Sequence, residues 1–361
     1  MTIRLLIGAG GTGGHLIPAL AVAEAFRKLC PETDFLFVGA GRPAEAEILD
    51  KDGWPRVVLT ARGFKGGSLS GKVRSLFSAF KGFGQALKLT RRYRPHLFYG
   101  VGGYVTGPVG LAAWLTGTPV VLHEQNSRPG LANRWLGKVA KEIFIGFPEA
   151  AKSFSPKKTV LTGNPARPEI VALADHKVNY VAGETLIILI MGGSQGANRI
   201  NLAAMELVAK LAKEGRDFKI LHQTGANDEA TLRAYYDRLG VKHETKSFFH
   251  DPHRLYAQAH LGITRAGALT VTELAAVGLP AILIPLPTAA DDHQAKNAQS
   301  LVEAGAAMIL KEDELAELFP LVKNLMDNPR RLNSLSGRGR HLANLEAASQ
   351  MARRLLNRIN L

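Results

Sequence analysis

The chain has 361 residues, 46% hydrophobic and 21% charged, a formal charge of +14 and a single cysteine, Cys30. That length predicts two domains, each able to bury a core, and the balance of apolar and charged residues excludes a disordered or repeat-built chain. A lone cysteine cannot close an internal disulfide, so nothing calls for an oxidising compartment and the cytoplasm is the default expectation.

The first apolar run, Ile3 to Ile7, meets glycine at once and is too short for the apolar core of a signal peptide. It enters Gly8-Ala-Gly10-Gly11-Thr12-Gly13-Gly14-His15, after which a helix is expected through Leu20 to Leu29. Strand, glycine turn and helix make a phosphate cradle: absent side chains let an anion approach backbone N–H groups, and the helix adds its positive end. A bound dinucleotide would also need an acidic residue closing the second strand. That strand, Phe35 to Val38, ends in Gly39-Ala40-Gly41, with Asp34 at the wrong end, which disfavours a nicotinamide enzyme.

Between Gly53 and His123 there is no Asp or Glu, while Arg56, Arg62, Lys65, Lys72, Arg74, Lys81, Lys88, Arg91, Arg92 and Arg94 make the window strongly basic. Within it Leu69, Val73, Leu76, Phe77, Phe80, Phe83 and Leu87 recur at helical spacing. Two readings stay open. The stripe packs into a core with its basic neighbours facing water, or Leu76, Phe77, Phe80 and Phe83 touch an anionic membrane surface. Nucleic acid is not favoured, since zinc-finger spacing is missing and the aromatics follow a packing period rather than a stacking one.

The uncharged stretch Pro95 to Leu122 is long enough to mimic a membrane span, but glycine and proline break it. It reads as a buried βαβ unit, with strands Leu97 to Val101 and Pro119 to His123 around a helix near Val109 to Leu115. A strand from Thr159 to Thr162 then closes a first domain at 1–163, and Gly163 to Pro168 crosses to a second at 164–340. There the run Thr185 to Met191 enters a second glycine turn, Gly192-Gly193-Ser194-Gln195-Gly196-Ala197, before a helix from Ile200 to Lys213. An arginine-rich helix over about 341–361 is expected to pack back on the first domain. Alternating strands and helices predict an α/β protein with parallel sheets, built as two Rossmann-like halves.

Six segments share one pattern: Gly10-Gly-Thr-Gly-Gly-His15, Gly102-Gly-Tyr-Val-Thr-Gly-Pro108, His123-Glu-Gln-Asn126, Gly163-Asn-Pro165, Gly192-Gly-Ser-Gln-Gly-Ala197 and Arg265-Ala-Gly-Ala-Leu-Thr-Val-Thr-Glu273. In this order and over nearly the whole chain, they resemble the MurG family of peptidoglycan N-acetylglucosaminyltransferases. The resemblance implies a GT-B fold, two Rossmann-like domains facing across a cleft, with the nucleotide sugar held mainly by the second. It implies inverting transfer from UDP-N-acetylglucosamine to the C4 hydroxyl of undecaprenyl-diphospho-N-acetylmuramoyl-pentapeptide, lipid I, giving lipid II. It places the enzyme peripherally on the cytoplasmic side of the plasma membrane, among other proteins of wall synthesis. No cofactor is implied, and with the D-x-D pair absent no metal is called for.

Carried over residue by residue, the resemblance puts the donor against Thr12, Gly13, Gly14 and Asn126 of the first half. In the second half it implies Arg167 on the diphosphate, Ser194 and Gln195 beside it, and the backbone of Phe249 on uracil. It adds the segment Ala268, Leu269, Thr270, Val271 and Thr272, then Glu273 on the ribose hydroxyls and Gln294 on the sugar. Glu273 is equally the last residue of a capping-box spacing from Thr270. Inversion needs a base on the acceptor hydroxyl. His15 is the first candidate, against a helix-capping or phosphate-touching role, with Glu124 and His123 as runners-up. Tyr104 and Thr106 are expected to shape the acceptor pocket. The loop Leu286 to His293 departs from the family pattern in charge and length, which bears on donor-sugar selectivity. A non-hydrolysing 2-epimerase of the same fold and a non-catalytic nucleotide sensor are the rival readings.

Overall fold

A computed structural model describes residues 2–10, 13–59, 69–193, 196–287 and 292–359, and only the backbone of 44 and 69–80. The chain divides into two compact units, Met1–Arg167 with Glu346–Leu361, and Pro168–Leu345.

In the first unit the strands are β1 (Arg4–Ala9), β2 (Asp34–Gly39), β3 (Arg56–Val58), β4 (Leu97–Gly102), β5 (Val120–Glu124), β6 (Glu142–Ile145) and β7 (Thr159–Leu161). The helices between them are α1 (Gly13–Leu29), α2 (Pro43–Lys51), α3 (Leu69–Tyr93), α4 (Thr106–Leu115) and α5 (Leu131–Leu136). All strands run parallel in the order β3-β2-β1-β4-β5-β6-β7. The middle strands β4, β5 and β6 are buried along their whole length, which is why they read as continuous apolar runs rather than alternating ones.

The second unit begins with α6 (Pro168–Val171) and continues β8 (Leu186–Met191), α7 (Asn198–Lys213), β9 (Phe218–Gln223), α8 (Glu229–Arg238), β10 (Lys242–Lys246) and α9 (Pro252–Gln258). Then come β11 (Leu261–Thr264), α10 (Ala268–Val277), β12 (Ala281–Leu283), α11 (His293–Glu303), β13 (Ala307–Ile309), α12 (Leu318–Asp327) and α13 (Pro329–Leu335). Its sheet is also parallel, in the order β10-β9-β8-β11-β12-β13.

The last helix, α14 (Ala347–Ile359), returns to the first unit, where Met351, Ala352 and Leu355 are fully buried in one cluster with Leu5, Ile7, Phe26 and Tyr99. Burying a leucine this completely stabilises by about 1.5–3 kcal/mol. Two arginines of α14 fasten it further: Arg354 and Arg358 donate through Nε to the buried Glu142 carboxylate at 2.5 and 2.9 Å.

The unit boundary falls after Arg167 instead of 163, because the buried side chain of Asn164 bonds back to the end of β5. The return to the first unit starts at Glu346, while Arg340 donates to the carbonyl of Val277 at 3.0 Å and so belongs with α10.

In both sheets the first strand lies in the interior, and the chain builds outward on one side before crossing to the other. The switch points are β1/β4 and β8/β11. Parallel α/β sheets bind ligands outside the carboxyl ends of strands at such points. The described residues of four glycine-rich motifs therefore sit where the topology makes a crevice: 10, 13–15 and 102–108 in one unit, 192–193, 196–197 and 265–273 in the other.

Candidate active site

In the first unit, the two switch-point loops are pressed together by glycine. Gly103 has φ 83°, and a Cβ there would lie 1.8 Å from the carbonyl oxygen of Gly10, so any side chain would push the loops apart. Thr106 locks the same contact from beneath. Its fully buried hydroxyl lies 2.6 Å from the Gly102 carbonyl and 3.0 Å from that of Gly8, and accepts the Gly102 N–H at 3.2 Å. Thr106 thus ties β1 to β4 and does not line an acceptor pocket, whereas Tyr104 on the same loop is 54% exposed. Gly13 and Gly14 open α1, whose N-terminal end faces the switch point, and His15 follows, half-buried, with Nδ1 3.0 Å from Gln125 Oε1. Thr12 lies outside the described residues.

The loop after β5 overturns two expectations. Glu124 is 2% exposed, and both its oxygens are taken: Oε1 accepts from the backbone and side chain of Asn126 at 3.0 and 3.2 Å, Oε2 from Gly130 N–H at 3.1 Å and Asn133 Nδ2 at 2.9 Å. A carboxylate that organises a loop this fully is no base for a substrate hydroxyl. His123 is buried completely, and burial pushes its pKa down to about 3, only partly opposed by the hydrogen bond to Asn164. It is a neutral interior group, out of reach of an acceptor. Of the three candidate bases, His15 is the one that is neither completely buried nor occupied on every polar atom by its own loop. Asn126, tied to Glu124, is held at the rim of the same loop.

In the second unit, Gln223 at the end of β9 joins two predicted donor segments. Its Nε2 donates to the carbonyl of Gly193 at 3.3 Å and its Oε1 accepts the Phe249 N–H at 3.1 Å. The Phe249 ring is buried and its N–H is given to Gln223, so any base contact at this position falls to its carbonyl. The helix α10 starts at Ala268 with Gly267 as its N-cap and carries no side-chain cap. Thr270 is therefore inside the first turn, and the capping-box role for Glu273 falls away. Glu273 lies one turn further in, 4% exposed, and accepts a hydrogen bond from the Tyr256 hydroxyl at 3.1 Å.

Ala268, Leu269 and Thr270 are the first three residues of α10, where N–H groups lack an intrahelical partner. Val271 and Thr272 are not part of that edge. Val271 spends its N–H on the Gly267 carbonyl at 2.9 Å, Thr272 its hydroxyl on the Ala268 carbonyl at 2.9 Å, and both side chains are buried. Gln294, in the first turn of α11, accepts the N–H of Leu286, the first residue of the segment that departs from the family pattern, at 3.0 Å. The buried Arg265 braces that loop's base, donating to the carbonyls of Ile284 and Pro285 at 3.1 and 3.2 Å and pairing with Glu312. Ser194 and Gln195 lie outside the described residues, and Arg167, half-buried, ends the first unit.

Of the proposed membrane contacts, Leu76, Phe77 and Phe80 lie on α3 but their side chains are outside the described residues. Phe83 is half-buried and packs with Leu87 on the sheet cluster around Phe98 and Leu122, so it serves the core. Among the described residues, several exposed apolar side chains lie on α4 and α5: Leu111, Trp114 and Leu115, and Leu131 and Trp135 at 71% and 69% exposure. Lys138 stands over the Trp135 ring at 4.6 Å. Composition hid this patch, because an uncovered helix face and a covered one contain the same residue types.

Two family models match the chain: the glycosyltransferase family 28 N-terminal domain over residues 5–145 and its C-terminal domain over 187–351. Similar along almost the whole length are the UDP-N-acetylglucosamine–N-acetylmuramyl-(pentapeptide) pyrophosphoryl-undecaprenol N-acetylglucosamine transferases. That of Geobacter sp. strain M21 is 42% identical over 96% of this chain and 94% of its own, and that of Citrifermentans bemidjiense 41% over 99% and 100%. The chain belongs to this transferase family. Its fold is that of MurG from Acinetobacter baumannii, with TM-score 0.76 and 30% identity over 99% of this chain and 100% of the other. A UDP-N-acetylglucosamine 2-epimerase from Neisseria meningitidis shares the fold alone, with TM-score 0.70 and 16% identity over 98% and 100%. The two parallel-sheet units are thus a GT-B fold.

Proposed function

We propose that this enzyme divides its reaction between two sets of residues, a donor grip in the second unit and a proton acceptor, His15, in the first. The chain is a UDP-N-acetylglucosamine hexosyltransferase that glycosylates lipid I in peptidoglycan synthesis. The observation that carries this is full-length identity near 40% to transferases of that name, joined to switch-point motifs that meet the demands of the chemistry.

In the donor grip, the first N–H groups of α10 and the Gly193 turn face the phosphates, the Phe249 carbonyl reads uracil, and Glu273 accepts from the ribose hydroxyls. Gln294 adds a sugar contact, and Arg167, the last residue of the first unit before the crossing, adds a diphosphate contact. For the chemical step, His15 Nε2 takes the proton of the acceptor's C4 hydroxyl while that oxygen bonds the anomeric carbon. The anomeric C–O bond breaks with its electron pair leaving on UDP, and the configuration inverts. Tyr104, exposed beside this turn, contacts the acceptor.

The lipid-linked acceptor requires the enzyme to work at a bilayer, and among the described residues no helix is long and apolar enough to cross one. The apolar face of α4 and α5, beside the acid-free and basic α3 region, suits insertion among anionic headgroups of the inner leaflet. Radiolabelled UDP-N-acetylglucosamine supplied with a lipid I analogue, with and without chelator, tests donor, acceptor and metal independence together. Lipid-I-dependent UDP release supports transfer, and formation of a 2-epimer without acceptor would replace it with the epimerase reading.

A further inference from the structure

Behind His15 runs a chain of polar side chains whose proton positions are fixed by backbone carbonyls. Gln125 Nε2 lies 3.2 Å from the carbonyl oxygen of His123 and 3.1 Å from His123 Nδ1. A carbonyl only accepts, so this end of the carboxamide is the NH2, and the atom 3.0 Å from His15 Nδ1 is the oxygen. Asn164 is oriented by the same logic. Its Nδ2 donates to the Gln125 carbonyl at 3.0 Å, which leaves Oδ1 facing His123 Nε2 at 3.1 Å. Worked from either end, His123 accepts at Nδ1 and donates at Nε2. His15 must then donate at Nδ1 to Gln125 Oε1, and its Nε2 keeps the lone pair.

We propose that Gln125, His123 and Asn164 are positioning residues that hold His15 as the Nδ1–H tautomer and so make Nε2 the proton-accepting atom. The proposal rests on the reading of His15 as the base. Which ring nitrogen of a histidine is protonated follows from the hydrogen bond made by the other, and here that bond is to a fixed acceptor. The chain does not carry a proton onward, because a neutral carboxamide between two imidazoles has none to pass. Its action is orientation.

The packing leaves the chain little freedom. His123 is fully buried and stays uncharged near neutrality, so its donor and acceptor ends do not interchange. At the far end a Cβ on Gly146 would lie 2.2 Å from Asn164 Oδ1, so glycine there makes room for the carboxamide. At the near end a Cβ on Gly102 would lie 3.0 Å from the His15 ring. The sequence pattern carries a trace of this arrangement: residues 123 and 125 share one face of an extended strand end, and Glu124 points to the other.

The test is long-range ¹⁵N–¹H correlation on the full chain labelled at histidine, with the His15 signals identified by their loss in His15→Ala. The expected spectrum shows Nδ1 protonated and Nε2 bare. Gln125→Met is expected to shift His15 toward the other tautomer and to lower kcat by about 10- to 100-fold, as loss of an orienting partner does elsewhere, with KM for UDP-N-acetylglucosamine nearly unchanged. Adding Gln125→Met to His15→Ala is expected to cost nothing further. A protonated Nε2 in the unaltered protein, a measurement that needs no variant to fold, overturns the orientation while leaving His15 free to be the base. Near-normal turnover in His15→Ala overturns the proposal through the base itself, whatever the spectrum.

Discussion

The two units use one sheet plan and spend their switch points differently. At β1/β4 the polar side chains are amides and imidazoles bonded to one another, with the loop's carboxylate, Glu124, consumed by its own neighbours. At β8/β11 the groups offered are the start of a helix and a carboxylate, Glu273, braced by Tyr256. Each unit also buries a neutral histidine, and burial pushes both His123 and His222 down to about 3. His123 is wired to His15 through Gln125, while His222 bonds Tyr236 at 2.9 Å and Asn201 at 3.2 Å inside the second unit's own framework. On the proposed reading, one fold yields a proton-handling end and a ligand-holding end according to what lies behind the glycine turns.

The most damaging way to break this contrast is His15→Ala. Loss of a general base is expected to lower kcat by about 10²- to 10⁴-fold while leaving donor KM close to its original value, since the proton moves only in the transition state. A collapse of donor affinity measured by titration with UDP would instead make His15 a phosphate ligand and dissolve the division of labour. The complementary change, Glu273→Gln, is expected to act on binding. A hydrogen bond to a charged group contributes about 1.5–3 kcal/mol, so KM for UDP-N-acetylglucosamine is expected to rise roughly 10- to 100-fold with a smaller change in kcat. Tyr256→Phe, which removes only the brace, is expected to reproduce a fraction of that rise.

Much of this is legible in the amino-acid sequence. The glycine turns, the strand runs that enter them and the helices that follow are local patterns, set by backbone sterics and apolar periodicity. What is not legible there is what side chains do after the chain closes on itself. Glu124 looks like a catalytic carboxylate until Asn126, Gly130 and Asn133 are seen to occupy it. Thr106 looks like a pocket residue until its hydroxyl is found between two strands. Asn164 stands 39 positions from Gln125, and no spacing rule links them. Phe83 and Trp114 are both apolar helix residues in one acid-free window, and only the packing of α3 and α4 tells which is covered.

The paired histidines sharpen the contrast through pH. A histidine at about 3 in the folded state and near 6.5 when unfolded takes up its proton on unfolding. The unfolded state then binds more protons between those values, so full stability is present above pH 6.5 and is lost as pH falls toward 3. The slope is at most about 1.4 kcal/mol per pH unit for each group. Urea unfolding at pH 7.5 and 5.5 is expected to show this loss. His222→Gln is expected to flatten the slope while leaving kcat of the remaining folded enzyme unchanged, whereas His123→Gln is expected to lower kcat as well. Equal kinetic effects from the two would show that the chain behind His15 has no special standing.

The smallest expected effect concerns the exposed face of α4 and α5 in the first unit. Trp114 and Trp135 are 46% and 69% exposed, so neither contributes much to the core, and serine at both is expected to leave thermal unfolding nearly unchanged. If they enter the headgroup layer, each gives up part of the 1.5–3 kcal/mol that full burial of a large apolar side chain is worth, about 1 kcal/mol, and binding to anionic vesicles should weaken about fivefold per residue. The effect must survive added salt, since it is apolar, while the contribution of the basic window to the same binding must fade as the Debye length shortens. Phe83→Ser makes the opposite prediction: lower stability, with vesicle affinity of the folded fraction retained. If instead Phe83→Ser releases the protein from vesicles and the tryptophan pair does not, the bilayer is met by α3, and the exposed face of α4 and α5 has another use.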